Sequence, residues 1–108
     1  MEEQLSRLGR VDVALHFQPH LAPMDRGILS TIYGWPMREL STEEVLDLYR
    51  KFYRDEPFVV VRDQPPSTKH VAGTNYVQVC PTVSRDKVVI FSAIDNLNKG
   101  AAGQAVQN

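Results

Sequence analysis

Val11, Val13, Leu15 and Phe17 alternate with Asp12, Ala14, His16 and Gln18, the period of two that a half-buried strand requires. Pro19 and Pro23 remove two backbone donors, so residues 18–25 read as a loop, and a second strand follows from Gly27 to about Trp35. Upstream, Glu2 to Leu8 carries Leu5 and Leu8 on one side and stops near Gly9, which predicts a short helix. The strongest helix signal begins at Ser41. Ser41 and Glu44 have capping-box spacing and Leu40 with Val45 has staple spacing, so two start signals coincide. Val45, Leu48, Tyr49, Phe52 and Tyr53 then recur at helical spacing while Glu43, Asp47, Arg50 and Arg54 point away, until Asp55-Glu56-Pro57 ends the segment.

Phe58 to Arg62 reads as a short strand, and Gln64-Pro65-Pro66 interrupts it. Asn75 to Val83 and Lys87 to Ile94 form the last pair, a hairpin joined through Ser84-Arg85-Asp86. So few helices and such short connections exclude a doubly wound parallel sheet. They predict one α+β domain over residues 1–108, with a mixed or mostly antiparallel sheet of about five strands and helices on one face. Val59-Val60-Val61 and Val88-Val89-Ile90-Phe91 are apolar on both faces of their strands. Helices cover only one face, so a symmetric contact through the sheet, burying Val88 and Ile90 or their alternates, predicts a homodimer.

Net charge is −1 and charged residues make up 23% of the 108, with signs interspersed. Neither nucleic acid nor an anionic membrane finds a basic stripe here, which leaves small molecules and proteins as partners. No apolar run approaches the roughly 18 residues of a membrane span, and Met1-Glu2-Glu3 lacks the basic start of a signal peptide. The single cysteine excludes an internal disulfide and points to the cytoplasm. At the other end, Asp95 or Asn96 can cap a helix that Ala101, Ala102, Gln104, Ala105, Val106 and Gln107 favour, yet no stop signal follows. The chain reads as cut from a longer protein.

Two blocks carry a resemblance. Asp95-Asn96-Leu97 with Lys99-Gly100-Ala101-Ala102-Gly103-Gln104-Ala105-Val106-Gln107-Asn108, and Pro19-His20-Leu21-Ala22-Pro23-Met24-Asp25-Arg26-Gly27, resemble signatures of the N-acetyl-gamma-glutamyl-phosphate reductase family. Glu56-Pro57-Phe58-Val59 and Gly73-Thr74-Asn75 fall between them in the family's order; Asn98 and Thr74 depart from its usual residues. The resemblance implies an NADP-dependent oxidoreductase of arginine biosynthesis that converts N-acetyl-glutamyl phosphate to its semialdehyde through a cysteine thioester. This chain then corresponds to its substrate and dimerisation domain, similar to the C-terminal domain of glyceraldehyde-3-phosphate dehydrogenase. The nucleotide-binding domain and the nucleophile belong elsewhere in such an enzyme, so the chain alone is expected to be inactive. A related lysine-pathway reductase of a carrier-linked aminoadipyl phosphate, or a non-catalytic binding or assembly module, are the alternatives.

The same resemblance implies substrate binding by Arg26 and places Gly100, Gln104 and Asn108 near the NADP cofactor, while His20 is a substrate-binding candidate from its place in the Pro-rich loop with Arg26, where loop residues between strands often meet ligands. A guanidinium offers a planar fork for a carboxylate or phosphate, whereas a surface salt bridge with Asp25 or Asp12 would leave Arg26 without that role. His20 could equally bond backbone in its loop, and the closing helix could simply pack. His16 and His20 cannot form a helical metal pair, because Pro19 lies between them and His16 sits in a strand pattern. Cys80 lies in a strand pattern without a neighbouring histidine or helix start to lower its pKa, so it reads as structural and no catalytic residue is assigned.

Overall fold

These patterns convert into helices α1 (Glu2–Gly9), α2 (Thr42–Phe52) and α3 (Gly103–Gln107) and strands β1 (Ile28–Gly34), β2 (Val59–Val61), β3 (Val77–Ser84) and β4 (Lys87–Ile94). The computed structural model describes residues 1–108. One sheet holds all four strands in the order β1-β4-β3-β2, with β2 and β3 parallel and the other neighbours antiparallel. The fold is therefore α+β with a mixed sheet, as expected.

The capping box forms: Ser41 Oγ accepts from Glu44 N at 3.1 Å, and Glu44 Oε2 accepts from Ser41 N at 2.8 Å. That backbone bond, with Arg38 beside it, holds the Glu44 carboxyl below its ordinary pKa. Thr42 Oγ1 lies 3.4 Å from Thr82 Oγ1 and accepts from Val83 N at 3.1 Å, which draws the first turn of α2 onto β3. The contact face is turned accordingly: Val45 is buried and Thr42, Leu46, Tyr49 and Tyr53 are half-buried, while Leu48 and Phe52, expected in the stripe, stand exposed. Val83 N points away from β4, and Pro81, two residues earlier, points its nitrogen the same way. Since β2 pairs only with Val77 to Val79, β3 has a free edge there and the missing donor of Pro81 costs no ladder bond.

The expected strand over Val11 to Phe17 does not form, and the sheet has four strands rather than five. Alternation makes a strand only where an edge receives it. Here the backbone turns to side chains of α1 instead: Val13 N donates to Ser6 Oγ at 2.9 Å and Leu15 N to Glu2 Oε1 at 2.6 Å. The hairpin of β3 and β4 closes at Ser84 opposite Lys87, around Arg85 at φ 57°.

Val45, Pro66, Val71, Val79, Cys80, Pro81, Val89 and Ala93 are the buried apolar residues. Val88 and Ile90, the expected contact residues, are half-buried. Exposed apolar surface runs instead along edge strand β1, through Ile28, Leu29, Ile32 and Tyr33, and on to Trp35 and Met37.

Candidate functional site

The ladder between β1 and β4 ends where Ile28 faces Ile94, and side chains continue it. Gly27 N donates to Asn96 Oδ1 at 2.8 Å, and Arg26 Nε lies 2.7 Å from Asp95 Oδ2 in an ion pair. Asp95 is fully buried. Its Oδ2 also accepts from Gly73 N at 2.6 Å, its Oδ1 accepts from Leu97 N and Asn98 N at 2.9 Å each, and its carbonyl accepts from Gly100 N at 2.9 Å. Burial acts to raise the Asp95 pKa, but the three backbone N–H groups and the Arg26 guanidinium outweigh it and hold the carboxyl well below the usual carboxylate range. An anion thus sits where the Arg26 loop, the Gly73-Thr74-Asn75 block and the closing helix meet.

Gly27 has φ 109°, and a Cβ there would stand 2.7 Å from Thr68 Cβ and 2.9 Å from Thr68 Cγ2. Only glycine fits beside Arg26 in this conformation. The Arg26 side chain is 42% exposed. Its partner is Asp95 rather than Asp25 or Asp12, and its terminal nitrogens donate no hydrogen bond within the chain. His20 is exposed in the irregular segment that precedes it, and no hydrogen bond ties it to Arg26.

Gly100 lies in a π-helical turn, Asn98–Ala102, marked by the bonds from Gly100 N to Asp95 O and from Ala102 N to Leu97 O at 3.1 Å. Such turns are rare and concentrate at functional sites. A Cβ on Gly100 would lie 3.4 Å from Ile94 Cδ1, so this turn packs on the end of β4. Gln104 and Asn108 bond each other, Gln104 Nε2 donating to Asn108 Oδ1 at 2.8 Å. Gln107 Oε1 accepts from Asn75 Nδ2 and from Lys99 Nζ, both at 2.9 Å, and Lys99 Nζ stands 5.7 Å from the Phe58 ring centre. The structure therefore brings Arg26 to the carboxylate of Asp95 and Gly100 to the carbonyl of the same residue, leaves His20 outside that network, and bonds Gln104 to Asn108 along the closing helix.

Asp95 and Asn96 were legible in the sequence only as helix caps. Asp95 Oδ1 accepts from Leu97 N and Asn98 N at the entry to the π-helical turn, whose N-cap position is Leu97, and nothing local in the sequence marks the carboxylate's second partner. Cys80 is 2% exposed. Burial and then nearby Asp63 push its thiol pKa up, Arg62 opposing them weakly, which disfavours the thiolate.

Residues 1–96 match the family described as semialdehyde dehydrogenase, dimerisation domain. The chain belongs to that family. Among curated relatives, the N-acetyl-gamma-glutamyl-phosphate reductase of Pelobacter propionicus is 53% identical over 100% of this chain, and that of Geobacter sulfurreducens 51% over 100%. The enzyme of the same name from Acetivibrio thermocellus is 48% identical over 99% of the chain. In each case the match covers 32% of the relative, so the chain spans about a third of the length of these reductases. For a semialdehyde dehydrogenase dimerisation domain, the exposed apolar edge at β1 and the ion pair of exposed Arg26 with buried Asp95 at the end of β4 are the two features that its fold leaves to be explained.

Proposed function

We propose that this chain is the substrate-binding and dimerisation part of an NADP-dependent N-acetyl-gamma-glutamyl-phosphate reductase. The observation that carries the reading is 53% identity to a reductase of that name across the whole chain. The relatives bear the arginine-type name, so the lysine-pathway alternative is not favoured. Arg26 then binds an anion of the substrate, either its carboxylate or its phosphate, with the exposed end of its guanidinium. His20, in the same block, is the second substrate contact.

NADPH supplies the hydride when bound, and this chain offers only an edge for it. The amides of Gln104 and Asn108 suit the carboxamide of a nicotinamide ring. Lys99, the one cation between Asp95 and Asn108, is taken by Gln107 and Phe58, so the closing segment has no free charge for the phosphates. Homodimer formation is supported by the exposed edge at β1: an edge strand with its outer side unpaired and apolar side chains on both faces is a surface that another chain covers. No helix of the chain is long and apolar enough to cross a membrane, and the reading places the reductase in the cytoplasm.

The test is the NADP-dependent, phosphate-requiring oxidation of the semialdehyde. The chain by itself should give no turnover, and turnover abolished by Cys80→Ser would overturn the reading. In the complete reductase, Arg26→Ala should raise KM for the substrate, and Arg26→Lys should recover only part, since one ammonium cannot reproduce the fork. Unchanged kinetics in a folded Arg26→Ala enzyme would remove Arg26 from the site.

A further inference from the structure

We propose that Asp95 is a positioning residue for substrate recognition: it grips Arg26 at Nε and so fixes the direction in which the two terminal nitrogens meet a substrate anion. The proposal rests on the reading of Arg26 as an anion contact and deepens it. A long, partly exposed arginine samples many rotamers, and a fork that must be ordered on binding weakens the complex. Here the ordering is done beforehand, because a fixed carboxylate lies 2.7 Å from the inner nitrogen of the guanidinium.

The carboxylate is itself immobile. Gly73 N, Leu97 N and Asn98 N hold its two oxygens from two different segments, and it is fully buried while Arg26 is 42% exposed. The backbone next to Arg26 is pinned as well, by the bond from Gly27 N to Asn96 Oδ1. A carboxylate that served only to cap the π-helical turn would need Leu97 N and Asn98 N alone. The other oxygen faces Gly73 N and Arg26, which gives the group a second task. The closest approach is at Nε, and the terminal nitrogens donate no hydrogen bond within the chain, so the paired edge that recognises carboxylates and phosphates bidentately is available to a ligand.

The experiment uses the complete reductase containing this chain and compares Asp95→Asn, Arg26→Ala and the double variant. Asp95→Asn should raise KM for the acyl phosphate about tenfold or more while kcat stays within about threefold, since the change acts on binding through Arg26. In the Arg26→Ala background the same change should add almost nothing, because no fork remains to be aimed. A purely structural Asp95 would lower kcat as well, and its effect would persist without Arg26; either result overturns the proposal. Failure of the underlying reading looks different: Arg26→Ala itself then leaves KM unchanged. Should Asp95→Asn not fold, the Nε–Hε signal of Arg26 in the wild-type enzyme decides, assigned by its loss in Arg26→Ala. A sharp signal persisting at neutral pH supports a held guanidinium, and one broadened away by solvent exchange overturns it.

Discussion

Gly27→Ala tests whether the backbone beside Arg26 is as constrained as its geometry implies. Two costs are separable. An L residue at φ 109° occupies a sparsely populated region, at about 1–3 kcal/mol. The new Cβ would also stand 2.7 and 2.9 Å from Thr68 Cβ and Cγ2, an overlap that backbone and side chain relieve by shifting, at about 1–3 kcal/mol. The sum is roughly 2–6 kcal/mol, which in a domain of this size lowers Tm by on the order of 10 °C or more. Urea unfolding followed by circular dichroism measures it, with Thr68→Gly and the double variant closing a cycle. Thr68→Gly removes the three atoms nearest the new methyl, so the double variant should recover the steric part, about 1–3 kcal/mol beyond additivity, and retain the conformational part. A loss below about 0.5 kcal/mol for Gly27→Ala would refute the assigned backbone conformation. A cycle without coupling would refute the contact with Thr68.

Ser41→Ala should cost about 1 kcal/mol in the same unfolding assay, because the capping box satisfies two groups at the start of α2. Cys80 should resist alkylation in the native chain at mildly alkaline pH and react fully on unfolding, since burial raises its thiol pKa; rapid native labelling would contradict that burial. Asp95 has a depressed pKa in the folded state, so its stabilising contribution is complete above the ordinary value of 3.8 and is lost as pH falls below it. Acid unfolding of the wild type should therefore steepen below that point, and Asp95→Asn should flatten the curve. Sedimentation equilibrium at micromolar concentrations should show dimers, weakened by Ile32→Lys on the exposed edge strand; a monomer independent of concentration would count against the β1 contact.

What could be read from the sequence was what neighbours in the chain decide. The capping box of α2 joins residues three apart, and the β3–β4 hairpin turns within Arg85 and Asp86, so both appeared with nearly their observed bounds. Leu48 and Phe52 were misplaced for the opposite reason: the face that a helix buries is set by its partner, and here Thr42 bonding Thr82 and Val83 across 40 and 41 residues turns it. Val11 to Phe17 failed similarly, since alternation describes a strand's side chains and says nothing of which edge will receive its backbone.

The candidate site divides along the same line. Arg26 stood out by the fork it carries, and Asp95 by its place at a helix start, yet nothing joined them. Gly27 and Asn96 are 69 residues apart, and β2, β3 and the hairpin turn all intervene. Once β1 is known to lie antiparallel to β4 with Ile28 opposite Ile94, the pairing follows, because the next residues outward on the two strands are Gly27 and Asp95, with Arg26 and Asn96 beyond. The chemistry of both residues was therefore visible from the start, and the missing fact was strand order. It also explains why a capping aspartate is buried at all. A cap alone is satisfied at the surface, whereas this one lies where a sheet edge and a helix start converge, and there a buried anion stays charged because Arg26 and three backbone N–H groups surround it.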